Sequence, residues 1–170
     1  MKKTKAFTLF EILVTFAILL VLAAVSVPLY AEFISAGRVK GASETLYSFI
    51  LKVRSDAINS QTTATLVFQA GSTWCFGATS AATCDCSVAA SCNLGQYNST
   101  LYSNTTLSQV GFSLSGSSYA TTINGTRGTA STAGTISFST PDGDSVSVIL
   151  NTMGFVRICS ANVVGYQACS

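Results

Sequence analysis

Residues 5–11 read Lys5-Ala6-Phe7-Thr8-Leu9-Phe10-Glu11, and they open onto the run ILVTFAILLVLAAVSVPLY of residues 12–30. Only Thr15, Ser26 and Pro28 interrupt that run. A helix of ~18–20 apolar residues, rising ~1.5 Å each, is long enough to cross a bilayer core of ~30 Å. Lys2, Lys3 and Lys5 precede it, so the positive-inside rule keeps the extreme N-terminus cytoplasmic. Glu11 is the informative residue. A carboxylate at the mouth of an apolar run costs about 3 kcal/mol unless it finds a partner. A secretory signal peptide has the same basic-then-apolar order, but it has no use for that cost. Nor does a good small-x-small cleavage site follow the run, because the pair ending at Ala31 has Leu29 as its other member. A simple membrane anchor accounts for the run and leaves Glu11 unexplained.

Helical periodicity continues downstream. Val39, Ala42, Leu46, Phe49, Ile50, Val53 and Ala57 recur at spacings of three and four, which places them on one face. Arg38, Lys40, Glu44, Lys52, Arg54 and Asp56 lie mostly off it. The spacing predicts one helix running to about Asn59, with its second half packed on a sheet and a flexible point at Gly37 and Gly41. After that the chain turns Ser-, Thr- and Gly-rich. Short alternating runs predict strands over residues 64–69, 73–76, 110–115, 120–123, 135–139, 146–150 and 155–159. Pro141-Asp142-Gly143-Asp144 is a turn signal that makes residues 135–150 a hairpin. Residues 78–104 have weak periodicity and read as a loop excursion pinned by disulfides.

Composition narrows the class. With 170 residues there is room for one domain with a core. Charged residues are only 9%, well under the usual quarter. The formal charge of +2 falls to −1 once the three N-terminal lysines are set aside, leaving six basic against seven acidic side chains. The body thus has no basic excess, which argues against a general nucleic-acid binder. Six cysteines and no His point to disulfides in an oxidising compartment. A four-thiolate zinc site from Cys75, Cys84, Cys86 and Cys92 is the rival, but zinc favours spacers of two to four residues and the compartment is wrong for it.

The stretch 5–11 closely resembles the prepilin cleavage and methylation motif of type IV pilins. That resemblance implies peptidase cleavage of the Ala6–Phe7 bond, methylation of the new amine on Phe7, and a fifth mature residue that is Glu11. Pro28 falls where members carry a helix-bending proline. The residue before the cut is usually Gly, and here it is Ala6, the next smallest. In a filament Glu11 would pair with the amine of a neighbouring subunit and set its register. Pro28 removes one helical hydrogen bond, so the helix is expected to bend or melt locally there. Two further stretches narrow the resemblance. Lys52-Val53-Arg54-Ser55-Asp56-Ala57-Ile58 and Gly154-Phe155-Val156-Arg157-Ile158-Cys159 resemble patterns of the GspH/FimT/FimU group of minor pilins and pseudopilins. Trp74-Cys75 and Cys84-Asp85-Cys86 are most similar to FimU-type members.

The resemblance carries several expectations. Cys159 and Cys169 close a C-terminal loop, as in many pilins. The other four then pair as 75–84 with 86–92 or as 75–86 with 84–92, and the sequence does not choose. No catalytic group is expected: His is absent, Asp142 and Asp144 are turn residues, and no phosphate loop occurs. No cofactor or metal is expected either. Sequons at Asn98, Asn104 and Asn124 are chance matches in a Ser/Thr-rich chain. Some FimT-type members are linked to DNA through a Gly-Arg-x-Arg motif. The matching stretch here keeps Arg157 but has Phe155 at the first Arg, and Arg127 is the sole other basic residue after Arg54. Two arginines make a weak phosphate footprint.

The reading is therefore an α+β pilin fold with three parts. Residues 1–6 form a leader removed by prepilin peptidase. Residues 7–59 form a long helix whose first half is transmembrane. Residues 60–170 form a disulfide-containing, β-rich periplasmic domain. The expected role is that of a minor pilin, first in the bacterial inner membrane and then in a pilus, which primes or caps assembly. Its partners are major and minor pilins, the peptidase and the inner-membrane platform. The alternatives are a type II secretion pseudopilin and a DNA-binding or adhesive pilin at the filament tip.

Overall fold

The computed structural model describes residues 8–116 and 118–169, with side chains throughout except at 25–29, 31, 32, 109, 110 and 115. One helix, α1, spans Leu9–Ser60. The chain divides into two compact units, Met1–Ile34 and Ser35–Ser170. The first contains the opening half of α1. The second contains the closing half and all of the strands.

In the second unit the predicted helical face is the buried one. Val39, Ala42, Leu46, Phe49, Ile50, Val53 and Ala57 are at most 4% exposed. They share a core with Leu66, Phe68 and Phe76 and with Ile136, Phe138 and Val148. Truncating a side chain such as Leu46 to Ala in a core of this kind costs about 2–5 kcal/mol. The helix ends because Gln61 turns left-handed, with φ 54°. The Thr62 N–H then donates back to the Ala57 carbonyl at 3.1 Å, closing the last turn.

Two antiparallel sheets receive that face. The first holds β1 (Ala64–Gln69), β2 (Cys75–Thr79), β3 (Gly95–Asn98), β5 (Ser113–Ser115) and β6 (Ser118–Ile123), in the order β3-β2-β1-β6-β5. The second holds β4 (Thr106–Val110), β7 (Gly134–Ser139), β8 (Ser145–Leu150) and β9 (Val156–Cys159), in the order β4-β7-β8-β9. In β8, Val146, Val148 and Leu150 point inward and alternate with half-buried residues, as a sheet with one face on a core should. β1 and β2 do not alternate and are buried on both faces. Trp74, just before β2, is 1% exposed and donates its indole N–H to Thr105 Oγ1 at 3.0 Å.

The α+β architecture and the β7–β8 hairpin agree with the sequence reading, and three details differ. The strand expected over 110–115 is two strands in different sheets. They part at Gly111, whose φ of +97° suits glycine, and a Cβ there would stand 2.7 Å from the Ala133 carbonyl oxygen. The excursion expected over 78–104 contains the end of β2 and all of β3. The strand expected over 73–76 starts and ends later, because residues 72 and 73 form the turn out of β1. α1 runs through both Gly37 and Gly41, as the periodicity predicted. Gly41 is where Tyr102 lies on the helix: a Cβ would meet its ring carbon at 2.6 Å.

Candidate functional site

The N-terminal motif starts α1. Thr8 caps the helix: its Oγ1 accepts from the Glu11 N–H at 3.3 Å, and its carbonyl accepts from the Ile12 N–H at 3.3 Å. Thr8-Leu9-Phe10-Glu11 is thus a capping-box sequence, Thr at the cap and Glu three residues on. A carboxylate in the first turn also faces the positive end of the helix dipole. Sequence reading treated Glu11 through the membrane and passed over Thr8, although the Thr-x-x-Glu spacing was present. Ala6 and Phe7 lie outside the described residues. α1 is helical through Pro28, so the local melting expected there is not adopted.

The apolar residues on both sides of Glu11 in sequence face outward all round the helix. Leu9, Phe10, Leu13, Phe16 and Leu20 are each more than 60% exposed, and Ile12, Ile18 and Leu19 about half exposed. A helix that is apolar all round needs a nonaqueous neighbour: lipid, or other helices. Among the described residues no helix is long and apolar enough to cross a membrane. The side chains at 25–29, which belong to the apolar run read from the sequence, are not among those described.

Three disulfides brace the second unit. The structure pairs Cys159 with Cys169, Cys75 with Cys86, and Cys84 with Cys92. This is the second of the two arrangements left open above. The two inner bridges hold residues 80–92 against the outer face of the first sheet. Val67 packs there with Cys75, Cys86 and Cys92, and the Thr65 hydroxyl reaches the Ala81 and Ala82 carbonyls. That cover is why β1 and β2 are buried on both faces. In the chain-entropy model each short loop contributes about 2–3 kcal/mol. At the C-terminus, Val163 enters the core. The Tyr166 hydroxyl donates to Glu44 Oε1 at 2.6 Å, and Lys40 Nζ stands 5.6 Å from the Tyr166 ring centre. Burial first, then the Glu44 carboxylate, raises the Tyr166 phenol well above its ordinary value. With all six cysteines in disulfides, the zinc arrangement is not formed. Among the described residues no group of His, Cys, Asp or Glu is placed to hold a metal.

Arg54 and the loop that carries Arg127 meet on one flank. Arg54, on α1, donates from Nε to the Gly128 carbonyl at 2.9 Å, and its guanidinium lies 5.6 Å from the Phe155 ring centre. Gly154, with φ +79°, packs so closely that a Cβ would collide with the Gly128 oxygen. Arg127 is exposed beside Gly128, on a turn where Asn124 Oδ1 accepts from the Thr126 and Arg127 N–H groups at 2.9 and 3.0 Å. Arg157 is exposed on β9, opposite Ile149 of β8. Sequence reading named Arg127 and Arg157 and set Arg54 aside as a solvent-side charge. The contact that joins it to the Arg127 loop, Arg54 Nε to the Gly128 carbonyl, is between segments remote in sequence.

Two family models match the chain. One, described as Type II transport protein GspH, covers residues 42–154. The other, described as a prokaryotic N-terminal methylation motif, covers residues 1–27. Both describe structural pilin-like proteins rather than enzymes. Among curated proteins and among solved structures, nothing matches the chain.

Proposed function

The chain belongs to the GspH family of type IV pilin-like proteins, and from that premise we propose that it is a minor pilin that primes or caps assembly of a type IV pilus. The observation that carries the proposal is the opening half of α1. Its apolar side chains from Leu9 to Val21 are exposed on all sides and a single carboxylate stands at its start. Before assembly, the inner membrane covers that surface, with residues 1–6 cytoplasmic and residues 60–170 in the periplasm. Prepilin peptidase cuts Ala6–Phe7 and leaves the apolar helix on the mature chain. In the filament, neighbouring helices replace lipid around it. Glu11, costly in an apolar setting, is matched by the amine of an adjacent subunit, which penalises wrong register. The compact disulfide-braced unit then meets other pilins and the inner-membrane platform. A role in priming needs few copies.

The test is the amount of surface pili in a strain lacking the chain, against the same strain complemented. A sharp drop, restored on complementation, is the expected result. Normal pili with failed protein secretion would instead make the chain a pseudopilin of a type II secretion system. Mass spectrometry of the mature N-terminus tests the cleavage separately: a methylated Phe7 is expected, and an intact Met1 would exclude it.

A further inference from the structure

Beside the end of α1, on the side away from Arg54, lies an open cavity of about 440 Å³. Its walls include Asp56, Ala57, Ser60, Ala64, Ser80 and Leu94. The floor is small and apolar, and the charge is one carboxylate. Among the described residues the Asp56 carboxylate has no hydrogen-bond or ion-pair partner; only its backbone carbonyl is used, by the Ser60 hydroxyl. The space suits a long side chain with an apolar stem and a cationic head.

The same unit offers such a side chain elsewhere. Arg127 is exposed, and among the described residues its guanidinium has no partner. Around it stand apolar groups at the surface: Ile58, whose Cδ1 would meet a Cβ on Gly128 at 2.7 Å, and Phe155, stacked by Arg54. Arg, Phe and Ile together have the make-up of an interface rather than of a solvated face. Arg54 and Asp56 are two residues apart on α1, hence about 200° apart around it. The arm and the cavity therefore flank the buried face of α1 on opposite sides.

We propose that the Asp56 cavity receives Arg127 from a second copy of this chain, so that two copies stand side by side. The inference rests on the filament reading above and deepens it by naming a neighbour. Because the two patches differ and lie on opposite flanks, one contact leaves each patch free on the outer copies. Such a heterologous contact sets a few copies side by side without closing, whereas a two-fold contact would close on itself.

The experiment uses the full chain in bacteria, with a photo-crosslinking side chain at Thr126, which is exposed next to the arm. Irradiation should give a dimer whose crosslink maps to residues 56–64 of the other copy. Asp56→Arg alone and Arg127→Asp alone should each lower the dimer at least about tenfold, since each opposes like charges. Co-expressing the two variants rebuilds opposite charges at the mixed contact and should return the dimer to within about twofold of the parent. That rescue also shows that both variants fold. A crosslink to a different protein, a dimer insensitive to Asp56→Arg, or no rescue would each overturn the proposal. Entry into filaments, scored in the same cells, separates the two readings. Normal entry without the dimer removes this contact alone. A dimer meeting every criterion in a chain that enters no filament keeps the contact and removes the filament reading.

Discussion

Replacing Gly154 with Ala should loosen the whole β-rich unit, and the size of the effect follows from its surroundings. The residue has φ +79°, and the new methyl would collide with the Gly128 carbonyl oxygen and stand 2.9 Å from Arg54 Nε. A Cβ in left-handed backbone costs about 1–2 kcal/mol. Forcing two backbone segments apart adds about 1–3 kcal/mol. The Arg54–Gly128 hydrogen bond, 2.9 Å long, would be stretched by the same movement. The total is about 3–5 kcal/mol, a large part of a typical stability of 5–15 kcal/mol. In urea unfolding of the detergent-solubilised chain, with a slope of ~2 kcal/mol/M, the midpoint should fall by roughly 1.5–2.5 M. Gly37→Ala is the control. Gly37 is exposed within α1, and nothing lies within 4 Å of its would-be Cβ, so the change should stabilise by about 0.5–1 kcal/mol. If the Gly154→Ala midpoint stays within about 0.3 M of the parent, less than a fifth of the expected shift, the loops are not in contact and the arginine flank is not built as described.

Three other outcomes follow from the same structure. Glu11→Ala should still be inserted and cleaved but should enter filaments poorly; normal incorporation in sheared pili would refute the register role. Full reduction of the disulfides should lower the melting temperature and expose residues 75–92 and the C-terminal loop to protease first, because two short bridges hold the cover over β1 and β2; an unchanged melting curve would contradict this. Tyr166 is protonated more tightly in the folded chain than in the unfolded one, through burial and its bond to Glu44. The stability this lends is therefore complete below the phenol's ordinary value of about 10 and is lost as pH rises toward the raised value. Tyr166→Phe should flatten the alkaline limb of the stability profile, and two parallel profiles would count against the Glu44 contact.

What could be read from the sequence was whatever repeats locally. The spacing from Val39 to Ala57 named the buried face of α1, because helix periodicity depends on neighbours three and four apart. Pro141-Asp142-Gly143-Asp144 named the hairpin because turn chemistry sits within four residues. The misreadings share one cause. Gly111 looks like any residue of a strand until the approach of Ala133 is known. Nothing near Gly41 in sequence says that Tyr102, far along the chain, lies on it. β3 alternates poorly because it pairs only with β2, at the edge of the sheet. The arginine flank is the extreme case, since Arg54, Arg127 and Phe155 come from three segments that meet through the Arg54 side chain and the contact of Gly128 with Gly154. That contact gives the Gly-x-x-Arg pattern at residues 154–157 a division of labour. The glycine holds two loops in touch, because no other residue fits between them. The arginine, three residues on, is exposed on β9 and presents its charge at the surface.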